Sequence, residues 1–219
     1  MTLRKLSWPK DTTASRLIGK RMTTWVTSDL HFGHANILKF NPATRKFADI
    51  DEMNEKFIQE WNTKVHPTDT VFILGDFAFL AADKATDIAY RLFGKKILVV
   101  GNHDKKMLQN DRFRKQFVSI HDYLEIEYTL EEPRENEPKK PVKVVMFHFP
   151  IAEWNRCHHG AVHLYGHLHG SVSGLERYRA MDVGVDSAVY SDGAVVRRMD
   201  DVVGYCLTGD IKTHGSGTD

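Results

Sequence analysis

Five short apolar runs rich in Val, Ile, Phe, Leu and Tyr punctuate the chain: "TTWVTS" (23–28), "TVFILG" (70–75), "KILVVG" (96–101), "VKVVMF" (142–147) and "AVHLYG" (161–166). Each has the length of a strand and none alternates cleanly, the pattern of strands buried on both faces. Helical spacing lies between the first three. From Asp51 to Lys64, Met53, Phe57 and Trp61 recur every four residues on one face, with Asp49 or Asp51 placed to cap the first turn. From Asp83 to Phe93, Ile88 and Leu92 form a shorter stripe that Gly94 ends. The order strand, helix, strand, helix, strand predicts right-handed crossovers and an at least partly parallel sheet.

The second half reads differently. "SIHDYLEIEYTLEE" alternates, which predicts an exposed antiparallel strand. "EEPRENEPKKP" (131–141), with three prolines and seven charges, predicts a mobile hairpin loop. Further strands are expected in "AMDVGVDS" (180–187) and "GAVVRRM" (193–199). At 219 residues the chain suits one domain, 1–219, with an N-terminal extension over 1–20 and a flexible polar tail over 209–219.

Thirty Lys and Arg against 29 Asp and Glu leave a formal net charge of +1, so a nucleic-acid or membrane partner would need a local basic patch. Cys157 and Cys206 form no Cys-x-x-Cys pair, which argues against a disulfide framework or zinc knuckle and for a reducing, cytoplasmic setting. No apolar stretch has the length of a signal sequence or membrane span.

All five apolar runs end in residues able to bind a metal: Asp29 and His31; Asp76; Asn102, with His103 and Asp104 behind it; His148; and His167 and His169. If the first three strands are parallel, their C-terminal ends share one sheet edge, where open α/β sheets bind ligands, and the last two would reach it through loops. Carboxylate, amide and imidazole donors suit Mn, Fe, Zn or Ni. Seven donors exceed one ion's needs. Two ions roughly 3.5–4 Å apart would use them all if one carboxylate bridges the pair. Gly75, Gly101 and Gly166 directly precede three of the donors, where backbone must approach the ions closely.

Asp-x-His (29–31), Gly-Asp (75–76), Gly-Asn-His-Asp (101–104), a lone His148 after a strand and Gly-His-x-His (166–169) together resemble the calcineurin-like metallophosphoesterase superfamily, in its order and over most of the chain. The resemblance implies an α/β sandwich of two mixed sheets flanked by helices. It implies that Asp29, His31, Asp76 and His169 hold one divalent transition-metal ion, and that Asp76, Asn102, His148 and His167 hold the other, manganese being the first expectation. It further implies a metal-bridging hydroxide as nucleophile, and His103 as the general acid or as an electrostatic clamp on the phosphoryl group. The protein Ser/Thr phosphatase branch carries Gly-Asp-x-Val-Asp-Arg-Gly, whereas this chain reads Gly75-Asp76-Phe77-Ala78-Phe79-Leu80. The acid that would orient His103 and the arginine that would grip phosphate are both missing, so protein phosphatase activity is not expected. "DLHFGHANI", "GDFAF" and "DVGVD" are similar to small single-domain bacterial or phage members.

The expected activity is hydrolysis of nucleotide-type phosphodiesters or of phosphomonoesters, with a phosphorylated small molecule or nucleotide as substrate. The alternatives are a nuclease acting on DNA or RNA and a non-catalytic scaffold of the same fold. His34 either reaches substrate phosphate or caps the segment from Ala35. Arg156 is a candidate phosphate-binding arginine, against a solvated loop arginine. The basic segment 105–117 could steer nucleic acid, but Phe113 and Phe117 favour a core-facing helix with a solvated charged face.

Overall fold

The computed structural model describes residues 22–131, 140–189 and 194–213. Nine strands and five helices follow in chain order: β1 (Thr24–Thr27), α1 (Ile37–Phe40), α2 (Ile50–Lys64), β2 (Thr70–Ile73), α3 (Ala82–Arg91), β3 (Lys95–Val99), α4 (Asp111–Arg114), β4 (Ser119–His121), β5 (Leu124–Tyr128), β6 (Val142–Met146), β7 (Val162–Tyr165), β8 (Ala180–Asp182), β9 (Arg197–Arg198) and α5 (Met199–Cys206). They form two mixed sheets, β4-β3-β2-β1-β9 and β5-β6-β7-β8. β1 to β4 are mutually parallel with β9 antiparallel, and β6 to β8 are parallel with β5 antiparallel. The architecture is the expected α/β fold of two mixed sheets flanked by helices.

Burial explains why the strands do not alternate between apolar and polar. Along β2 and just beyond it, Val71 and Ile73 join the core under α2 and α3, while Phe72 and Leu74 join the core between the sheets. Both faces are apolar because both are covered. The inter-sheet core is completed by Val144, Met146, Leu164 and Met181 from the second sheet and by Met199, Val202 and Val203 of α5. α2 begins as its cap residues dictate: the Asp49 carboxylate accepts from the Glu52 N–H at 2.8 Å, and the Glu52 carboxylate accepts from the Ala48 N–H at 2.7 Å. Met53, Phe57 and Trp61 face the core.

Four expectations are corrected. "SIHDYLEIEYTLEE" is two strands, not one: β4 pairs parallel with β3, and after Asp122 and Tyr123 the chain enters the other sheet as β5. Alternation reports a half-buried strand but not which sheet receives it. The strand expected over 180–187 ends at Asp182, because Val183 to Ser187 turn into the site described below. The strand expected over 193–199 is only β9 and runs straight into α5. Finally, His148 and His167 need no long loop: β6, β7 and β8 are parallel, and the Ser28–Gly184 parallel bridge aligns β8 with β1, so all these strands point their C-terminal ends the same way.

The expected loop over 131–141 lies largely outside the described residues, as do the extension 1–20 and residues 214–219 of the tail. Within the tail, the Asp210 N–H donates to the Arg177 carbonyl at 2.9 Å. Among the described residues no helix is long and apolar enough to cross a membrane.

Candidate metal centre

Beyond β1 and β2 the chain continues as two zipped segments. Asp29 N–H donates to the Gly75 carbonyl (3.1 Å), His31 N–H to Asp76 (3.0 Å) and Phe32 N–H to Phe77 (3.1 Å). This pairing forces unusual backbone: Asp29, His31, Asp76, His167 and His169 all have left-handed φ, between 48° and 74°. Among the described residues only one other non-glycine, Arg156, shares it. A non-glycine residue pays about 1–2 kcal/mol in that region, and such strain concentrates where a site is held in shape. Glycines supply the rest. At Gly75 (φ 92°) a methyl would stand 2.6 Å from His148 Nδ1, and at Gly166 it would collide with Ser28 Oγ and Asp29 Oδ2.

Two groups of donors result, Asp29 with His31 and His169, and Asp76 with His148 and His167; within each group the ligand atoms lie within 4.8 Å of one another. Asp76 Oδ2 stands 3.5 Å from His31 Nε2 and 3.6 Å from His148 Nε2, between the two groups. Asn102 Oδ1 is 3.0 Å from His148 Nε2, which adds the amide to the second group. In the first group, Asp29 Oδ1 and His31 Nε2 are fully buried and have no hydrogen-bond partner. They are 4.0 Å apart, and His169 Nε2 is 3.9 Å from the same oxygen. Polar atoms orphaned in this way carry a full desolvation cost. The spacing is too long for hydrogen bonds and suits an ion held at about 2.1 Å by each donor. The donor set therefore fits a transition metal in two adjacent positions.

Protonation supports ligation. Burial and the charge of His169 push the His31 imidazole down to about 3, so it is neutral and its lone pair is available. Burial opposes ionisation of Asp76, yet hydrogen bonding and charge from His148 hold it at about 2, ionised. His148 is pulled the other way: against burial, Asp76 and Asp29 raise it to about 9. Its Nδ1–H donates to the Leu74 carbonyl at 2.7 Å, which leaves Nε2 as the atom for a proton or a cation. Burial raises the Asp29 carboxyl above the usual range.

In EDTA the native protein thus holds a proton on Asp29 to higher pH than the unfolded chain does. Stability present at about pH 4 is lost as pH rises through the raised value. Asp29→Asn removes that loss. We expect its Tm in EDTA to match the wild type near pH 4 and to exceed it at neutral pH, where the wild-type carboxyl must ionise in a buried site. Thermal scans across pH check this, and a lower Tm for the variant at neutral pH would contradict it.

Several supporting residues carry no motif of their own. Asp186 Oδ2 accepts from His169 Nδ1 at 2.8 Å, and the buried Arg45 grips the same carboxylate through Nε (3.0 Å) and Nη2 (2.8 Å). Arg45 also donates to the carbonyls of Asp29 (2.6 Å) and Leu30 (2.9 Å). One guanidinium therefore ties the Asp29 loop to the group that orients His169. Burial disfavours the Asp186 anion, but His169 and Arg45 hold its carboxyl far below the usual range. Asp104, also buried, accepts from the N–H groups of Gly101 (2.8 Å), Asp76 (3.0 Å) and Phe77 (2.9 Å), stapling the Asn102 loop to the Asp76 turn.

His103 is partly exposed, with Nε2 3.8 Å from Asp76 Oδ2, and its N–H donates to Asp76 Oδ1 at 3.0 Å. Its ring meets Phe79 edge-on at 4.9 Å. His34 stacks on Phe79 at 4.5 Å and places Nδ1 3.2 Å from His31 Nδ1. It does not cap α1, whose N-cap is Asn36. Arg156 precedes the 3-10 turn Cys157–His159 and makes no hydrogen bond or ion pair with the residues above. Phe113 and Phe117 are buried in the core, as the pattern of segment 105–117 predicts. Both cysteines are buried and unbridged.

A family model described as calcineurin-like phosphoesterase matches residues 22–171. The uncharacterized protein MJ1445 of Methanocaldococcus jannaschii is 40% identical over 83 residues, 37% of this chain and 46% of that protein, so the match spans about half that relative's length. The gene 66 protein of Mycobacterium phage D29 is 28% identical over 181 residues, covering 74% of this chain and 87% of its own. The solved structure of the protein of unknown function AQ665 from Aquifex aeolicus is similar at a TM-score of 0.56 and 26% identity, covering 76% of this chain and 91% of that one.

Proposed function

The chain belongs to the calcineurin-like phosphoesterase family, and from that premise we propose that it is a dinuclear metal-dependent hydrolase of nucleotide-type phosphodiesters. The observation that carries the reading is the single oxygen of Asp76 set 3.5 and 3.6 Å from one histidine of each donor group. Asp29, His31 and His169 complete one position, and Asn102, His148 and His167 the other. When bound, two cations at such a site supply positive charge to the phosphoryl oxygens and lower the pKa of coordinated water.

The chain's own groups do the remaining work. His103 reaches the open side of the cluster from the Gly101 turn and is placed to give the leaving oxygen its proton as the P–O bond breaks. Its Nε2 stands 3.8 Å from Asp76 Oδ2, which keeps the ring beside both donor groups. His34 is held by Phe79 on the same side and can donate to a non-bridging oxygen. Diesters are favoured over monoesters by charge. Arg45 is consumed inside the fold and Arg156 contacts none of these groups, so a dianionic terminal phosphate meets no guanidinium among the described site residues.

His103→Ala should lower kcat about 10²-fold or more for an alkyl or nucleoside leaving group, but far less for p-nitrophenolate, which departs without a proton. An equal loss on both would contradict the acid role. The activity itself is tested by screening bis-p-nitrophenyl phosphate and p-nitrophenyl phosphate with Mn²⁺, Ni²⁺, Zn²⁺ and Mg²⁺. The diester should turn over faster with a transition ion, and EDTA should stop it.

A further inference from the structure

A cleft of about 890 Å³ opens beside His103 and runs along the turn after β2 and the start of α3. Its lining includes Phe79, Leu80, Lys84, Lys105 and Lys106. The three lysines are exposed, come from two separate segments and form no ion pair among the described residues. Asp83, the acid next to Lys84, is engaged instead with Arg112 at 3.7 Å. The basic segment 105–117 is therefore divided: its first two lysines line the cleft, and its phenylalanines anchor the remainder to the core.

The cleft also has an aromatic wall. Phe79 is 50% exposed although its ring is fixed by stacking on His34 and by the edge of His103. Phe40, 67% exposed, extends the row of rings 6.0 Å beyond His34. A fixed, half-open phenyl ring beside a phosphoryl site, with three ammonium groups around one cleft, combines the two elements that hold single-stranded nucleic acid: stacking faces and a cationic track. One phosphate would leave most of the three charges unanswered. In a duplex both faces of every internal base are already covered, so Phe79 has nothing to stack on.

We propose that this cleft is a subsite for single-stranded nucleic acid, in which Lys84, Lys105 and Lys106 hold phosphates flanking the scissile diester and Phe79 stacks an adjoining base. The assignment builds on the phosphodiesterase reading but can be tested apart from it, because binding can be read without metal. Fluorescence anisotropy with a fluorescein-labelled oligothymidylate of about twelve nucleotides, in EDTA and between about 50 and 200 mM salt, measures it directly. The triple variant Lys84→Ala/Lys105→Ala/Lys106→Ala should bind at least about 30-fold more weakly at the lowest salt, with a log–log salt slope shallower by about 2. Phe79→Ala should bind about tenfold more weakly with an unaltered slope. A duplex of equal length should bind less tightly than the single strand. With Mn²⁺, the ratio of kcat/KM for the oligonucleotide to that for bis-p-nitrophenyl phosphate should fall in both variants. Equal affinity of wild type and triple variant, or a duplex bound as tightly as the single strand, overturns the proposal. If neither ester turns over with any metal while the binding differences hold, the hydrolase reading fails and the subsite stands.

Discussion

Asp76→Ala is expected to lower kcat/KM for bis-p-nitrophenyl phosphate by at least about a thousandfold, equivalent to ~4 kcal/mol of transition-state stabilisation. The size follows from position. Asp76 places one oxygen 3.5 and 3.6 Å from a histidine of each donor group, so on the proposed reading its loss takes a ligand from both ion positions at once. It should not unfold the protein. The turn that carries Asp76 is held through backbone, by the N–H bond of His31 to its carbonyl and by Asp104 accepting from its own N–H. The carboxylate accepts the His103 N–H at 3.0 Å on a partly exposed loop, where water can replace it, and its other partner is the His148 imidazole. Asp76→Asn keeps the shape and that acceptor while removing the charge, and should be nearly as inactive. Circular dichroism and thermal scans in EDTA separate lost chemistry from lost fold. Retention of more than about a tenth of activity in a folded variant would exclude the bridging role.

Asp186→Asn is the second large effect, and it falls on stability as well as on metal. The Arg45–Asp186 pair is buried, and removing one charge strands the other at a cost of about 3–5 kcal/mol. His169 also loses the carboxylate that fixes its ring, a change that typically weakens metal affinity about 10–100-fold. The two effects can be separated. Replacing both partners by apolar residues, Arg45→Met with Asp186→Leu, should recover only the part of the stability lost to the stranded charge, because the Asp29 and Leu30 carbonyls lose their donor, while metal affinity stays impaired. If Asp186→Asn matched the wild type in both Tm and metal titration, the orienting role would be wrong.

The seven candidate donors are legible because each hangs at the end of an apolar strand, where turn chemistry and metal chemistry use the same residues and only their convergence distinguishes the two. Arg45 and Asp186 are not. Arg45 sits in "NPATRKFAD", a polar stretch without periodicity, and an arginine is among the residues least often fully buried. The only signal for Asp186 was a second acid in "DVGVD", after another apolar run. α5 escaped for a related reason. Met199, Val202, Val203 and Cys206 have helical spacing, but the valines and Gly204 favour other structure, and packing against the inter-sheet core overrides that preference. The passage of the chain from β4 to β5 across sheets is a long-range event that no local pattern encodes.

The most direct measurement is an anomalous-scattering map from crystals grown with Mn²⁺, paired with metal analysis of the dissolved protein. The account predicts two ions per chain, about 3.5–4 Å apart, with the carboxylate of Asp76 reaching both. A single ion, or two that do not share that side chain, would contradict it.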